Sequence, residues 1–113
     1  MIQSTVIDSN TDTPIFTSAN TQAITVMIFC NTADPVSGDE AVNAVTLELH
    51  VVPGGDTVSD DNAIVKNLLV PAGETVFFDT ERLVLEDTDF VSAKLIDING
   101  DGKITATVSA LTV

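Results

Sequence analysis

The sequence predicts an all-β protein, a single antiparallel β-sandwich (Ig-like or jelly-roll-like) of about eight short strands over residues 1–113. Three observations predict it. Apolar residues recur with period two along nearly the whole chain, and no window sustains the 3.6-residue repeat of an amphipathic helix. Pro and Gly collect between the alternating runs, where turns need them. Aromatics are scarce, with five Phe and neither Trp nor Tyr, so the core must come mainly from Val, Ile, Leu and Ala. Branched side chains of that kind fit a pleated surface.

The elements follow in order. IQSTVID (2–8) reads as a first strand, and PIFTS (14–18) as a second after the turn "SNTDTP". Residues 1–21 are expected to form an edge strand or an N-terminal arm. QAITVMIFCN (22–31) is apolar on both faces, as suits a strand buried in mid-sandwich. Cys30 lies within it and is expected to be a buried, inert thiol; as the single cysteine it has no internal disulfide partner. "TADPVSGDE" is a solvated acidic loop. AVTLELHVV (44–52) alternates most cleanly, with Val45, Leu47, Leu49 and Val51 on one face and Thr46, Glu48 and His50 on the other.

"PGGDTVSDDN" is a flexible acidic loop, and AIVKNLLV (63–70) returns as a strand. "PAGE" turns tightly into TVFFD (75–79), and RLVLE (82–86) follows as a further strand. After "EDTD" come FVSAKLID (90–97) and KITATVSALTV (103–113), the latter with Ile104, Ala106, Val108 and Ala110 on one face.

Charge narrows the function. Seventeen acidic residues against four basic ones give a formal charge of −13. Such a surface repels phosphate backbones and anionic membranes, so neither nucleic acid nor membrane is an expected partner. The N-terminus shows no signal-peptide pattern, and no apolar run has the length to span a bilayer.

"DINGDGKIT" (97–105) opens like a calcium loop, with Asp97, Asn99 and Asp101 at alternate positions and Gly102 at the sixth. The twelfth position, which must supply a bidentate carboxylate, is Val108. Both flanks alternate as strands, whereas a calcium loop of that type sits between helices. Asn-Gly-Asp-Gly is therefore expected to make a β-hairpin turn. No cofactor is expected; Asp97, Asn99 and Asp101 are at most a weak calcium site.

His50 and Glu48 share a face and could begin acid–base chemistry, but no motif brings a Ser or Cys to them. An exposed His on a polar strand face is the expected outcome, and no catalytic activity is expected. Asp60 and Asp61, and likewise Glu86, Asp87 and Asp89, are expected to be solvated turn residues first and contact residues second.

The segments "IFCNT", "LHVVPGG", "DDNAIVKNLLVPAGETVFFDTERLVLEDTD" and "ITATVSALTV" resemble a group of small virion proteins from tailed bacteriophages, of the cyanophage and marine phage type. The resemblance runs from about Gln22 to the end and lies in strands and turns. The chain departs from that pattern in an extended "IDINGDGK" and an enlarged acidic loop, "NTADPVSGDEAVN". The resemblance implies a structural protein that folds in the host cytoplasm and joins the virion. A head decoration (cement) protein bound to the major capsid protein is the first expectation, as a trimer or as copies clustered at three-fold positions. A neck, tail or fibre module is the alternative, and a carbohydrate-binding sandwich a weaker one, since Trp and Tyr are lacking. Ile2, Val6, Leu111 and Val113 are the expected interface residues, as outward apolar positions of edge strands.

Overall fold

Period-two alternation sends every second side chain inward, and here it fills the space between two sheets. The computed structural model of the chain describes residues 1–78 and 83–113. Nine strands are described: β1 (Ile2–Ile7), β2 (Thr13–Thr17), β3 (Gln22–Asn31), β4 (Val45–Val52), β5 (Ala63–Val70), β6 (Thr75–Phe78), β7 (Leu83–Leu85), β8 (Phe90–Ile98) and β9 (Ile104–Thr112). One 3-10 turn, Asp60–Asn62, precedes β5. The expected strand ends at Asp79 and Arg82 lie outside the described residues.

The first sheet has the order β1-β9-β3-β6, with β7 also on β3; the second has the order β2-β8-β4-β5. β6 pairs with Met27–Cys30 and β7 with Gln22–Ile24, so the two fill one strand position between them. Every described pairing is antiparallel. Counted by position, the first strand pairs with the last, the second with the next to last, and so inward to β4 with β5. This nesting is the strand order of a jelly roll, which resolves the two sandwich topologies that the sequence left open.

The nesting corrects one expectation. Asn-Gly-Asp-Gly does reverse the chain, but β8 and β9 do not pair with each other: β8 belongs to the second sheet and β9 to the first. The turn is an arch between layers. Gly100 takes the left-handed φ of +59° there, and a Cβ on Gly102 would stand 2.7 Å from the carbonyl oxygen of Asn43. Turn-forming residues report that the chain bends, and bending is common to a hairpin and an arch.

Inward positions are closed. Ile104, Ala106, Val108 and Ala110 are buried as expected, facing Leu47, Leu49, Val91 and Leu95 among others. Phe29 meets Phe78 edge-on at 5.7 Å between ring centres. Burying each such side chain contributes about 1.5–3 kcal/mol. β3 departs from the expected double burial: Met27 and Phe29 are in the core, whereas Val26, Ile28 and Cys30 on its other face are only half-buried. Cys30 is thus a face residue rather than a core one. Pro14 stands inside β2, where an edge strand tolerates the missing donor.

Candidate functional site

The outward faces of the two sheets differ in chemistry. On the first sheet the register aligns outward residues in four rows. These are Leu111, Ala23 and Val84; Ile2, Ser109 and Val26; Ser4, Thr107, Ile28 and Phe77; and Val6, Thr105, Cys30 and Thr75. None of these residues is charged. Ile2 is 74% exposed, Phe77 63%, Val6 56%, Val84 55% and Leu111 53%. At ordinary strand and residue spacings the rows cover about 500 Å². That is the scale of the largest patch on a typical monomer, and such patches often serve a function.

Three of the interface residues expected from the sequence, Ile2, Val6 and Leu111, fall on this face. Val113 lies just past β9, exposed, with its N–H donating to the carbonyl of Thr21. Phe77 and Val84 join them there. The alternation of TVFF and LVL marks them as outward, but only the strand order puts them beside Ile28 and Ala23.

The second sheet carries the opposite chemistry, and here an expectation fails. Glu48 and His50 do point outward from β4, yet they are 3% and 2% exposed. Lys66 of β5, Lys94 of β8 and the 3-10 turn close over them. Lys66 Nζ lies 2.9 Å from Glu48 Oε1 and 2.7 Å from Asp60 Oδ1. Lys94 Nζ lies 3.7 Å from Glu48 Oε2 and 3.8 Å from Asp12 Oδ1. Two of the chain's four basic residues therefore converge on one buried carboxylate. Burial alone would raise the Glu48 carboxyl, but hydrogen bonds from Lys66 and His50 and the charges of both lysines outweigh it and hold it below its ordinary value. The hydrogen bond from Lys66 likewise lowers Asp60, and the bonds to Asp60 and Glu48 raise Lys66.

His50 is held at both ring nitrogens. Asn62 donates from Nδ2 to the carbonyl of Thr57 and accepts at Oδ1 from the N–H of Ser59, which fixes its amide orientation. Oδ1 then faces His50 Nδ1 at 2.9 Å and must be met by a donor, so Nδ1 carries a proton. Nε2 faces Glu48 Oε1 at 3.1 Å.

Ser92 of β8 pairs across with His50, a neighbour the sequence does not reveal. Its buried hydroxyl has no hydrogen-bond partner among the described residues. With both nitrogens of His50 committed elsewhere, the ring is not placed to take the proton of Ser92. The cluster locks β4, β5, β8 and the 53–62 loop together.

The Asp97, Asn99 and Asp101 series is split by the arch. Asp97 pairs with Thr46 and lines a cleft of about 370 Å³ with Asn99, Glu40 and Leu69; Asp101 lines a different cleft with Asp8, Asp34 and Lys103. Among the described residues no three His, Cys, Asp or Glu side chains gather as a metal-holding group. The Asp101 N–H is taken by Oδ1 of Asn43, whose Nδ2 donates to the carbonyl of Asp34. Asn31, fully buried at the end of β3, donates to the carbonyls of Asn43 and Val70 and ties the long acidic loop to the end of the sandwich. In the other acidic turn, Asp89 accepts from the N–H groups of Glu86 and Gly54, and Asp87 from that of Asn20. Those carboxylates serve backbone N–H groups, one in their own turn at Glu86 and two in neighbouring loops at Gly54 and Asn20.

Compared with protein-family models, with curated proteins and with solved structures, the chain gives no match in any of the three.

Proposed function

We propose that this protein is a structural component of a tailed-phage virion, a head decoration protein that docks on the capsid lattice and stabilises it. The observation that carries the proposal is the uncharged outer face of the first sheet, in a chain of net charge −13. A face of about 500 Å² is short of the roughly 800 Å² per partner of a standard interface. A repeating lattice offsets that deficit, because many copies with neighbouring contacts multiply a modest energy. Support comes also from the resemblance of the strand-and-turn segments to phage virion proteins, and from the jelly roll itself, a topology common among viral coat domains. The fold alone does not decide function. Major capsid protein is the proposed partner and the virion the proposed location.

Copy number tests the proposal. Densitometry of purified virions is expected to find hundreds of copies per particle, on the order of the number of capsid subunits, and the variant Phe77→Asp is expected to bind depleted capsids much more weakly while keeping its fold. About a dozen copies per particle would instead identify a neck or tail part. The exposed ring of Phe77 favours one further reading, since a flat aromatic face stacks on sugars. Glycan binding that is lost in Phe77→Asp would establish that reading in place of the first.

A further inference from the structure

The free edge of β1 has a composition that the other edges of the sandwich avoid. An unpaired edge strand is a template for pairing, and proteins blunt it with charge, proline, a bulge or brevity. β2 carries Pro14 and a register shift after it. β5 carries Lys66 at mid-strand. β6 and β7 span four and three residues among those described. β1, by contrast, is IQSTVI, without charge, proline or glycine, and it pairs with β9 over six residues in unbroken register.

The ladder also fixes which backbone groups are free. Met1 and Ala110 exchange both hydrogen bonds, N–H to carbonyl in each direction at 2.9 Å. In an antiparallel pair bonded and non-bonded positions alternate, so Gln3, Thr5 and Ile7 also face β9. Ile2, Ser4 and Val6 therefore turn their N–H and carbonyl groups away from the sheet. Their side chains share the uncharged outer face.

We propose that this edge is a docking surface for a second copy of the chain, the two β1 strands pairing antiparallel about a two-fold axis through Ser4. In that register Ser4 meets Ser4 of the partner copy, and Ile2 of each copy meets Val6 of the other. All three positions are ones whose backbone groups are free, so the pairing closes roughly six hydrogen bonds. The strand is self-complementary around its centre, as an isologous contact requires. No charged side chain stands on the edge between Ile2 and Ile7, so two bodies of −13 can approach there without opposing charges in contact. The result is one sheet twice as wide, with the uncharged face continuous across the axis. The inference stands on the strand edge alone and is independent of the virion proposal.

Sedimentation equilibrium of the full chain, at low and at high salt, reads the association. A dimer is expected, tighter at high salt because screening weakens the repulsion of the two acidic bodies. Ser4→Pro removes an N–H that faces away from β9, so the fold should stand, and dimerisation should weaken about thirtyfold through the two central hydrogen bonds and the crowded prolines. Ser4→Lys, which places like charges on the axis, is the second variant should the proline disturb β1. Amide exchange should slow with concentration at Ile2, Ser4 and Val6 but not at Gln3, Thr5 and Ile7. A monomer at every concentration, a trimer, or a dimer indifferent to both substitutions would overturn the proposal.

Discussion

Glu48 Oε1 lies 3.1 Å from His50 Nε2, with both side chains almost wholly buried on the outward side of a sheet. Two residues that alternation assigns to solvent are thus enclosed, and their enclosure depends on being paired. Removing the carboxylate charge leaves His50 and Lys94 facing a neutral partner. Glu48→Gln is expected to destabilise the protein by about 2–4 kcal/mol at neutral pH, measured by urea unfolding. Asp60→Asn, which breaks only the exposed arm of the network, should leave the urea midpoint unchanged.

The same carboxylate sets an acid limb. Its folded-state value lies below the ordinary 4.5, so its contribution is whole above pH 4.5 and fades as pH falls through that lower value. Stability of the wild-type protein is therefore expected to drop as pH falls below about 4.5, and Glu48→Gln should show a shallower drop. Melting curves over that range check it. Parallel curves would show that the drop belongs to other carboxylates.

His50 hydrogen-bonds from the floor of β4 to the Asn62 amide, which in turn holds Ser59 and Thr57. His50→Ala should free the 53–62 loop, cost about 1–3 kcal/mol and raise amide exchange at Ser59 before it rises in β4.

At the arch, Gly102→Ala drives a Cβ toward the backbone of Asn43 and the Val45 side chain, while Gly100→Ala strains a left-handed φ and meets the side-chain oxygen of Asn43. The first is expected to cost about 1–3 kcal/mol and the second about 1–2 kcal/mol. Thermal melts of the two variants measure both costs; a Gly102→Ala protein that melts like the wild type would refute the close approach at Gly102.

Calcium and chelator are expected to leave the melting temperature unchanged. Asp97 and Asp101 face different clefts, and a ligand held only by the folded state would raise it.

Strand positions and the inward residues of β4 and β9 were legible because alternation is a local property of the chain. The partnering of β8 with β4 rather than β9 was not, since Asn99-Gly100-Asp101-Gly102 specifies a bend and not a layer. The burial of Glu48 and His50 comes from Lys66, Lys94 and Asn62, which the fold delivers from β5, β8 and a loop. Spacing along β4 holds no trace of them. The uncharged face was half visible: Ile2, Val6 and Leu111 stood out singly, and register joined them to Phe77 and Val84.

The nested pairing has a consequence for synthesis. Among the described strands only β4 and β5 are neighbours both along the chain and within a sheet, so theirs is the loop that closes at least entropic cost. Each later pairing spans a longer stretch, and Ile2–Ile7 must wait, uncovered, until Ile104–Ser109 has left the ribosome. During translation the first made of these strands is the last to find its partner, and in that interval a chaperone has its opening.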